Sequence, residues 1–542
     1  MKLRSKQLLV LILIIGIAVF MRFFRLDSAP SGFQQDEISQ AYNSFSLINT
    51  GHDRYGQYLP ILFRSFGSYQ PPVYTYVSTI PILLLGNTVF AARFLSAFAG
   101  VVVVIATYFI LLTWTEEKHK HAPAMFSAFM VAISPWAIHF SRRSIEANLG
   151  LAFFLIAILL LIKSLKNIKL FPLAMLVLGI STQAYYSERV IGLLFITVFL
   201  FIYRQIFLGN KKTVILGFII FAVTQIPHLW ILSTGAYARR FAQVSYFNND
   251  PGNLPRALYI MREFVRHFLS YISPKNLFSL TEEGLGQVAP DQGVLFSWMF
   301  IPFLFGLKKL VHTFKGDSLQ GPALLVLLLP ISIIPAALTG NEFYPFRAME
   351  FMWCITVLIG LGMYMIFSRI KNNYAKFIII SVLTLYSFSM FYVSYFILLR
   401  HEKIEYTAAA YVEMDKLLKQ YQYDKVIVDS TRDLAVGLRI AYLNSYDPDM
   451  MSKDLASQLT TGYYSADVPT DEVYRIGNIE ARPIFWRDDP CIQNTIIVGD
   501  ELAVSADQAR EHGLTKLFEI ESSGEGVVLR GYSTNPPKRC IP

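Results

Sequence analysis

Long apolar runs recur along the first three quarters of this 542-residue chain, and they limit its fold more than any other feature. A helix that crosses a bilayer needs about 20 largely apolar residues, and about eleven runs approach or exceed that length. Only 16% of the residues are charged, whereas soluble domains carry about a quarter. The sequence therefore predicts a polytopic α-helical membrane protein. The predicted spans are Leu8–Phe24, Thr88–Trp114, Ala122–Phe140, Leu149–Leu165, Leu170–Tyr185, Val190–Phe207, Val214–Leu232, Val294–Phe305, Pro322–Leu338, Ala348–Phe367 and Phe377–Leu399.

Basic residues occur mainly in short clusters between the apolar runs, although the net charge is +9. This distribution is typical of cytoplasmic loops rather than of a nucleic-acid-binding face, so no nucleic-acid partner is predicted. Lys-rich loops alternate with loops of carboxylates and arginines if the short run Val73–Leu85, which contains Pro81, does not cross the membrane. We therefore predict an interfacial or re-entrant helix there, a cytoplasmic N-terminus and an extracytoplasmic tail. Arg22 and Arg25, directly after the first run, favour a retained anchor over a cleaved signal peptide.

The tail has a different composition, which predicts a transmembrane domain over residues 1–400 and a small extracytoplasmic α/β domain over residues 401–542. Lys425–Asp429 and Thr495–Val498 have the pattern of buried strands, and Lys516–Tyr532 has that of a hairpin. Two of the three cysteines, Cys491 and Cys540, lie in this tail. In an oxidising compartment they form one disulfide; the alternative is two free thiols.

An acidic pair, Asp36-Glu37, follows the first predicted span. Carboxylates are costly near hydrocarbon and tend to mark function, but Asp36 alternatively caps the amphipathic helix that follows it. A site that deprotonates a hydroxyl and binds a phosphate needs carboxylates and arginines together. The predicted outer ends of the spans supply both kinds of residue. The further candidates there are Glu146, Arg142, Arg143, Arg189 and Arg347.

Most of these candidates also have a purely structural interpretation. A carboxylate such as Glu146 is favoured in the first turn of a helix by the helix dipole. Arg189 and Arg347 alternatively anchor span ends at the interface, where long basic side chains extend toward water. His139 is alternatively a packed residue at a span end. The aromatic residues around Tyr69 form either an interfacial belt or a wall that contacts sugar or lipid.

Four passages resemble the GT-C glycosyltransferases, specifically the protein O-mannosyltransferase and aminoarabinose transferase group (glycosyltransferase family 39). They are Asp36-Glu37 with the helix that follows, Phe66 to Arg93 around Gln70-Pro71-Pro72, Ser134 to Asn148, and Phe343 to Ala348. The similarity extends in order over about residues 5–350. It implies a GT-C fold, a polyprenyl-phosphate-linked sugar donor, an active site on the outer face of the plasma membrane, and inversion at the anomeric carbon.

The resemblance also implies roles for individual residues. The acidic residue of the first outer loop is the proposed base, which corresponds to Asp36 with Glu37 adjacent, and the acid of the second outer loop matches Glu146. This chain has Gln70 where the family commonly has a basic residue or His before the Pro-Pro pair, so the donor phosphate is assigned to other residues. The phosphate-binding candidates are Arg189, Arg347, Arg142 and Arg143. The predicted substrate-lining residues are Tyr69, Gln70, Tyr344 and His139.

Several alternatives stay open at this stage. A divalent cation, Mg²⁺ or Mn²⁺, bound by Asp36 and Glu146 is one possibility for the cofactor, and catalysis without a metal is the other. The acceptor is a protein, a lipid or a glycan. A transporter or flippase for a lipid-linked sugar and an oligosaccharide ligase with a polyprenyl-diphosphate donor are the alternative functions. The sequence contains no Gly-rich phosphate loop of the nucleotide-binding type, which argues against ATP-driven transport.

Overall fold

The computed structural model describes residues 5–114, 121–279, 288–314, 322–399, 408–470, 473–522 and 526–536. The chain forms two compact units. Unit 1 consists of Met1–Phe24, Phe94–Ser233 and Arg240–Ser394, and unit 2 consists of Arg25–Arg93, Thr234–Arg239 and Tyr395–Pro542. The predicted division into residues 1–400 and 401–542 stays a prediction, and the two units differ from it because Arg25–Arg93 groups with the tail.

Helices make up most of the described chain. In chain order they are α1 Ser5–Phe23, α2 Gln35–Thr50, α3 Pro72–Leu85, α4 Val89–Trp114, α5 His121–Ile133, α6 Pro135–Ser141, α7 Glu146–Ser164, α8 Phe171–Ala184, α9 Tyr186–Ile202, α10 Arg204–Leu208, α11 Lys211–Ile231, α12 Ala236–Val244, α13 Arg256–Tyr271, α14 Pro274–Phe278, α15 Phe300–Phe314, α16 Pro322–Ala337, α17 Met349–Arg369, α18 Asn373–Tyr392, α19 Ala409–Leu418, α20 Val436–Leu443, α21 Pro448–Ser457 and α22 Ala506–Glu511. The strands are β1 Phe63–Ser65, β2 Ser68–Gln70, β3 Lys425–Val428, β4 Tyr474–Ile476, β5 Ile479–Ala481, β6 Thr495–Gly499, β7 Thr515–Ser522 and β8 Gly526–Ser533. Short 3-10 turns lie at Ile168–Leu170, Leu232–Thr234, Ser297–Met299, Pro345–Arg347 and Asp489–Cys491, and a π-helix lies at Val393–Leu398.

The prediction of a polytopic helical membrane protein is confirmed, but the predicted count of eleven spans is not. Among the described residues, six helices are long and apolar enough to cross a membrane, and the bent pair α5–α6 makes a seventh. That pair bends by 57° just before Pro135, because proline disfavours helical backbone in the residue that precedes it. Helices α3, α8 and α16 are apolar but shorter than the roughly 20 residues of a span. The predicted interfacial placement of α3 stays a prediction.

Small residues let the helices of unit 1 approach closely. Helix α17 packs along α15 and α5. A Cβ added at Gly362 would overlap the carbonyl oxygen of Pro302 in α15, and one added at Gly360 would overlap the backbone of Ser127 in α5. Close backbone contact of this kind increases van der Waals packing where the hydrophobic effect between helices is weak. The two glycines therefore set the spacing of these three helices.

Replacing Gly362 by alanine tests this packing. We expect Gly362→Ala to lower the unfolding temperature of the purified protein, because the added methyl group forces α17 and α15 apart at a cost of about 1–3 kcal/mol. Gly16→Ala is the matched control, since no described atom lies within 4 Å of a Cβ at Gly16 in α1. That control is expected to be neutral or slightly stabilising, as alanine favours helix over glycine. Equal effects of the two variants would contradict the packing argument.

Unit 2 contains a six-stranded mixed sheet in the order β4-β5-β3-β6-β8-β7. Strand β3 is parallel to both β5 and β6, whereas the outer pairs are antiparallel. The predicted strands at Lys425 and Thr495 and the predicted hairpin after Lys516 are confirmed, and residues 523–525 of its turn lie outside the described residues. The β4–β5 hairpin was not predicted. The predicted pairing of Cys491 with Cys540 involves residue 540, which also lies outside the described part of the chain.

The segment between α1 and α4 and the tail share one hydrophobic core within unit 2. Ile38 and Tyr42 of α2 belong to the same buried cluster as Val428 of β3 and Ile440 of α20. The apolar face predicted for α2 is buried in this cluster, and its polar residues Ser39, Gln40 and Asn43 are buried too. The buried side chain of Arg439 donates a hydrogen bond to the carbonyl oxygen of Phe33 at 2.7 Å, so the tail also binds the segment that leads into α2.

Tyr463 of the tail makes the most specific polar contact to this loop. Its hydroxyl donates to Oδ2 of Asp53 at 2.5 Å and accepts the backbone N–H of Arg64 at 3.0 Å. The other oxygen of Asp53 accepts the backbone N–H groups of Tyr55 and Gln57, each at 2.9 Å. Burial raises the pKa of Asp53, although these hydrogen bonds counteract the effect. The Asp53 carboxyl group thus holds the loop together only while its donors are in place.

Removing one hydroxyl group tests this contact. We expect Tyr463→Phe to destabilise the protein by about 1–3 kcal/mol, because it removes a donor from a fully buried carboxyl group. Thermal unfolding of the purified full chain measures the effect. Tyr58→Phe serves as the control, since Tyr58 lies in the same loop and is 63% exposed. A Tyr463→Phe variant as stable as this control would contradict the assignment.

Candidate active site

Helix α2 presents Asp36 and Glu37 in opposite environments. The helix begins at Gln35, and the backbone N–H of Gln34 donates to Oε2 of Glu37 at 3.0 Å, which closes the first turn. The alternative that Asp36 caps the helix is therefore wrong, because Asp36 lies inside the first turn. Glu37 is buried, whereas Asp36 is exposed. An exposed carboxylate in a first helical turn is favoured by the helix dipole and stays available for chemistry.

Glu37 is fully engaged by Arg93. The Arg93 guanidinium forms a two-pronged ion pair with it, from Nε to Oε1 at 2.9 Å and from Nη2 to Oε2 at 3.1 Å. The same guanidinium donates to the carbonyl oxygens of Leu26 at 3.2 Å, Pro30 at 2.7 Å and Gly32 at 2.5 Å. A buried ion pair is stable only when its remaining donors find acceptors, and here they do. Glu37 therefore positions the chain around its neighbour Asp36.

The β1–β2 hairpin brings Gln70 to Asp36. Phe66 and Gly67 form its two-residue turn with positive φ values of 38° and 75°, as a tight hairpin turn of this type requires. Nε2 of the buried Gln70 donates to Oδ1 of Asp36 at 3.2 Å and to the backbone oxygen of Asp36 at 3.3 Å. Gln70 thus orients the exposed carboxylate without neutralising it.

Tyr69, a predicted substrate-lining residue, has its hydroxyl group committed to the tail. It donates to the carbonyl oxygen of Tyr463 at 2.7 Å and accepts the N–H of Ser465 at 2.7 Å. Burial raises the pKa of Tyr69, and the positive charges of Arg64 and Arg239 act in the opposite direction. Its observed contacts hold the hairpin against the tail.

In unit 1, a second set of polar residues surrounds Tyr185. Arg347, Glu146, Arg240 and Tyr344 all lie within electrostatic range of its phenol. The structure therefore brings together three of the predicted site residues, Glu146, Arg347 and Tyr344. Carboxylate and guanidinium groups close to one another can bind a polar substrate at both a hydroxyl and an anionic group.

Arg347 is the best-defined cation of this group. Its Nη1 donates to Oδ1 of Asn341 at 2.9 Å, and its Cζ lies 4.5 Å from the ring centroid of Tyr344. Burial lowers the pKa of Arg347, and the nearby charge of Arg240 adds to this. No carboxylate of the described residues pairs with Arg347. A guanidinium that is desolvated and unpaired by protein carboxylates is suited to an anionic ligand.

Other predicted residues of unit 1 have mainly structural contacts. Arg142 donates hydrogen bonds to the carbonyl oxygens of Met21 at 3.0 Å and Phe24 at 2.7 Å. These bonds satisfy carbonyl groups at the C-terminal end of α1. The Arg189 guanidinium lies 4.4 Å from the ring centroid of Tyr186. Three further predicted residues are buried: Arg143, Glu146 and His139.

A pair of buried carboxyl groups was not among the predicted site residues. Glu188, in the first turn of α9, and Glu350, in the first turn of α17, are almost fully buried and lie within electrostatic range of each other. The sequence signal was present, because both are acidic residues at predicted outer ends of spans. Nothing in the local pattern indicated that they meet.

Comparison with known proteins identifies the fold. Residues 69–231 match the family model described as dolichyl-phosphate-mannose-protein mannosyltransferase. ArnT from Cupriavidus metallidurans in the apo state matches with a TM-score of 0.58 and 12% identity, over 97% of this chain and 98% of that chain. The same protein bound to undecaprenyl phosphate matches with a TM-score of 0.56 and 13% identity, over 96% and 97%. This chain has the GT-C glycosyltransferase fold.

The predicted resemblance is therefore confirmed. AglB from Archaeoglobus fulgidus, in complex with an inhibitory peptide and a dolichol-phosphate, matches with a TM-score of 0.49 and 14% identity, over 99% of this chain and 75% of that chain. No curated protein matches the chain. One of the four passages that carry the resemblance, Ser134 to Asn148, lies within the family match, and the passage from Phe66 to Arg93 lies within it from Tyr69 onward.

The donor set for a metal ion in this GT-C chain is limited. Across the described ranges, no three side chains of His, Cys, Asp or Glu gather as a metal site. Asp36 and Glu146 belong to different compact units, and the hypothesis that they bind a divalent cation stays a prediction. We derive no catalytic step through a metal.

The ion pair beneath Asp36 can be tested by breaking it. We expect Glu37→Gln to destabilise the protein by about 3–5 kcal/mol, because it leaves the buried Arg93 guanidinium without its counter-charge. The change should lower the unfolding temperature of the purified protein. Glu413→Gln is the control, since Glu413 is an exposed glutamate of α19 in the same unit. If both variants unfold at the same temperature, Glu37 does not hold the loop.

Proposed function

We propose that this protein is a membrane glycosyltransferase that moves a sugar from a polyprenyl-phosphate donor to a hydroxyl group of an extracytoplasmic acceptor, with inversion at the anomeric carbon. The observation that carries the proposal is the exposed Asp36 carboxylate, oriented by Gln70 beside the ion-paired Glu37. The GT-C fold and the family match support the reaction class. The ArnT structure with undecaprenyl phosphate supports the class of lipid carrier.

In the proposed mechanism Asp36 is the general base. It accepts the proton of the acceptor hydroxyl, whose oxygen attacks the anomeric carbon on the face opposite to the phosphate. The bond from the anomeric carbon to the phosphate oxygen breaks, and polyprenyl phosphate leaves with that electron pair. Inversion follows from this single in-line displacement. A positioned base contributes roughly 10²- to 10⁴-fold to the rate.

The remaining predicted residues take supporting roles. Arg347, with Arg189, stabilises the negative charge that develops on the leaving phosphate. Glu146 and Tyr344 belong to the same polar group as Arg347 and contact the substrate there. Glu37 and Gln70 are positioning residues for Asp36. We assign no substrate contact to Arg142, since its guanidinium closes the end of α1.

We further propose that the reaction takes place on the outer face of the plasma membrane. The support is the distribution of charge along the chain, in which Lys-rich loops alternate with the loops that carry Asp36, Glu146 and Arg347. The acceptor is a protein, a lipid or a glycan exposed on that side.

Substitution of the proposed base tests the function. In membranes supplied with a labelled polyprenyl-phosphate sugar, we expect Asp36→Asn to transfer sugar about 10²- to 10⁴-fold more slowly at normal expression and stability. Asp27→Asn is the matched control, an exposed acid of the same segment. Near-normal transfer by Asp36→Asn would refute the assignment of the base.

The same assay separates the proposal from its alternatives. A transferase releases polyprenyl phosphate when the acceptor is added, whereas a flippase moves the intact lipid-linked sugar and releases none. A ligase with a diphosphate donor would release polyprenyl diphosphate instead. Release of the monophosphate by wild-type protein and its loss in Asp36→Asn are the expected results.

A further inference from the structure

The β1–β2 hairpin has two polar faces. Its register pairs Arg64 with Tyr69 and Phe63 with Gln70. Neighbouring residues of a strand point to opposite faces. Gln70 contacts Asp36 on one face, so Arg64 and Tyr69 lie on the other. This second face is not used by the proposed base and its positioning residues.

Arg64 is a buried cation that has no counter-ion in the described part of the chain. The residue is 2% exposed, and its Nη1 is buried with no hydrogen-bond partner among the described residues. Its guanidinium packs against an aromatic ring, with Cζ 5.7 Å from the ring centroid of Tyr55. Within the described ranges, no carboxylate lies within ion-pairing distance of it.

Three other buried arginines of unit 2 have carboxylate partners. Arg93 pairs with Glu37, Arg439 with Asp433 and Arg482 with Asp489. The carboxylate of the same loop, Asp53, is already bonded to a tyrosine hydroxyl and two backbone N–H groups. Among the described residues, the fold supplies a carboxylate to each of those three arginines and none to Arg64.

A second arginine adds to the positive charge on this face. Arg239, in the first turn of α12, donates from Nε to the carbonyl oxygen of Gly67 at the hairpin turn, at 2.9 Å. The charges of Arg64 and Arg239 both act on the phenol of Tyr69. The Tyr69 phenol therefore lies within electrostatic range of two guanidinium groups, and the structure balances neither with a carboxylate among the described residues.

A buried charge without a counter-charge is costly, and an anion that pairs with it removes that cost. Guanidinium groups match the oxygens of phosphate with paired, charge-assisted hydrogen bonds. We propose that Arg64 and Arg239 form a phosphate-binding site on the hairpin face opposite to Asp36. The site takes a phosphate group from one of two sources, the polyprenyl-phosphate donor or a phosphorylated acceptor. Its role as a substrate subsite rests on the proposed function, whereas phosphate binding itself does not.

Thermal unfolding of the purified full chain tests the site. Inorganic phosphate is titrated at constant ionic strength, with chloride as the compensating anion. We expect the unfolding temperature of the wild-type protein to rise with phosphate concentration, as ligand binding to the folded state requires. Arg64→Gln abolishes the rise, and Arg239→Gln weakens the apparent affinity about 10-fold or more. Arg487→Gln, an exposed arginine of the same unit, behaves as wild type.

Arg64→Gln has a second signature that a merely structural role would not produce. In phosphate-free buffer this variant unfolds at or above the wild-type temperature, because it removes an uncompensated buried charge. If Arg64→Gln does not fold, Arg239→Gln carries the test. An absence of phosphate stabilisation in the wild type, or an unchanged response in the folded arginine variants, overturns the proposal.

The same thermal-unfolding assay with undecaprenyl phosphate as the ligand distinguishes the polyprenyl-phosphate donor from a phosphorylated acceptor as the source of the phosphate. Undecaprenol is the uncharged control. If Arg64→Gln loses the response to both undecaprenyl phosphate and inorganic phosphate, the site takes the donor phosphate in place of Arg347 and Arg189. If it loses only the response to inorganic phosphate, the site takes a phosphate of the acceptor. Retained phosphate binding in a protein that transfers no sugar would refute the proposed function and leave this site standing.

Discussion

The buried ion pair between Glu37 and Arg93 is the interaction on which the candidate active site depends. It joins the first turn of α2 to a residue that lies 56 positions later in the chain. The same guanidinium fixes the loop before α2 through the carbonyl oxygens of Leu26, Pro30 and Gly32. A buried pair stabilises a structure only when all its hydrogen-bonding groups are satisfied. This one meets that condition, and the adjacent Asp36 stays exposed.

The tail also contacts the segment that carries Asp36. In the tail, the hydroxyl group of Tyr463 donates a hydrogen bond to Asp53, and Arg439 donates one to the backbone before α2. Apolar residues of the tail also pack against α2. The loop that carries the proposed base is therefore ordered by residues about 400 positions away. A site held by a packed core keeps a carboxylate within the small range of positions that catalysis tolerates. The α/β sheet thus serves the chemistry although it supplies no proposed catalytic residue.

Arginine is used in two ways in this protein. Arg93, Arg439 and Arg482 have carboxylate partners and stabilise the fold. Arg64 in unit 2 is buried and Arg347 in unit 1 is half-buried, and neither has such a partner in the described chain. Desolvated positive charge is the feature that a phosphate-handling enzyme needs, because it strengthens each hydrogen bond to the ligand. The distinction between the two groups follows from their partners and not from burial alone.

The sequence by itself determined the class of the protein, the strands at Lys425 and Thr495, the amphipathic face of α2 and the isolation of Asp36 among apolar segments. These features are local, since they depend on periodicity and on the residues within one or two turns. Only the tertiary structure decided that Glu37 pairs with Arg93, that Gln70 reaches Asp36, and that the segment between α1 and α4 shares a core with the tail. Local periodicity does not depend on contacts between residues that are distant in sequence. Such contacts are therefore identified only from the folded structure.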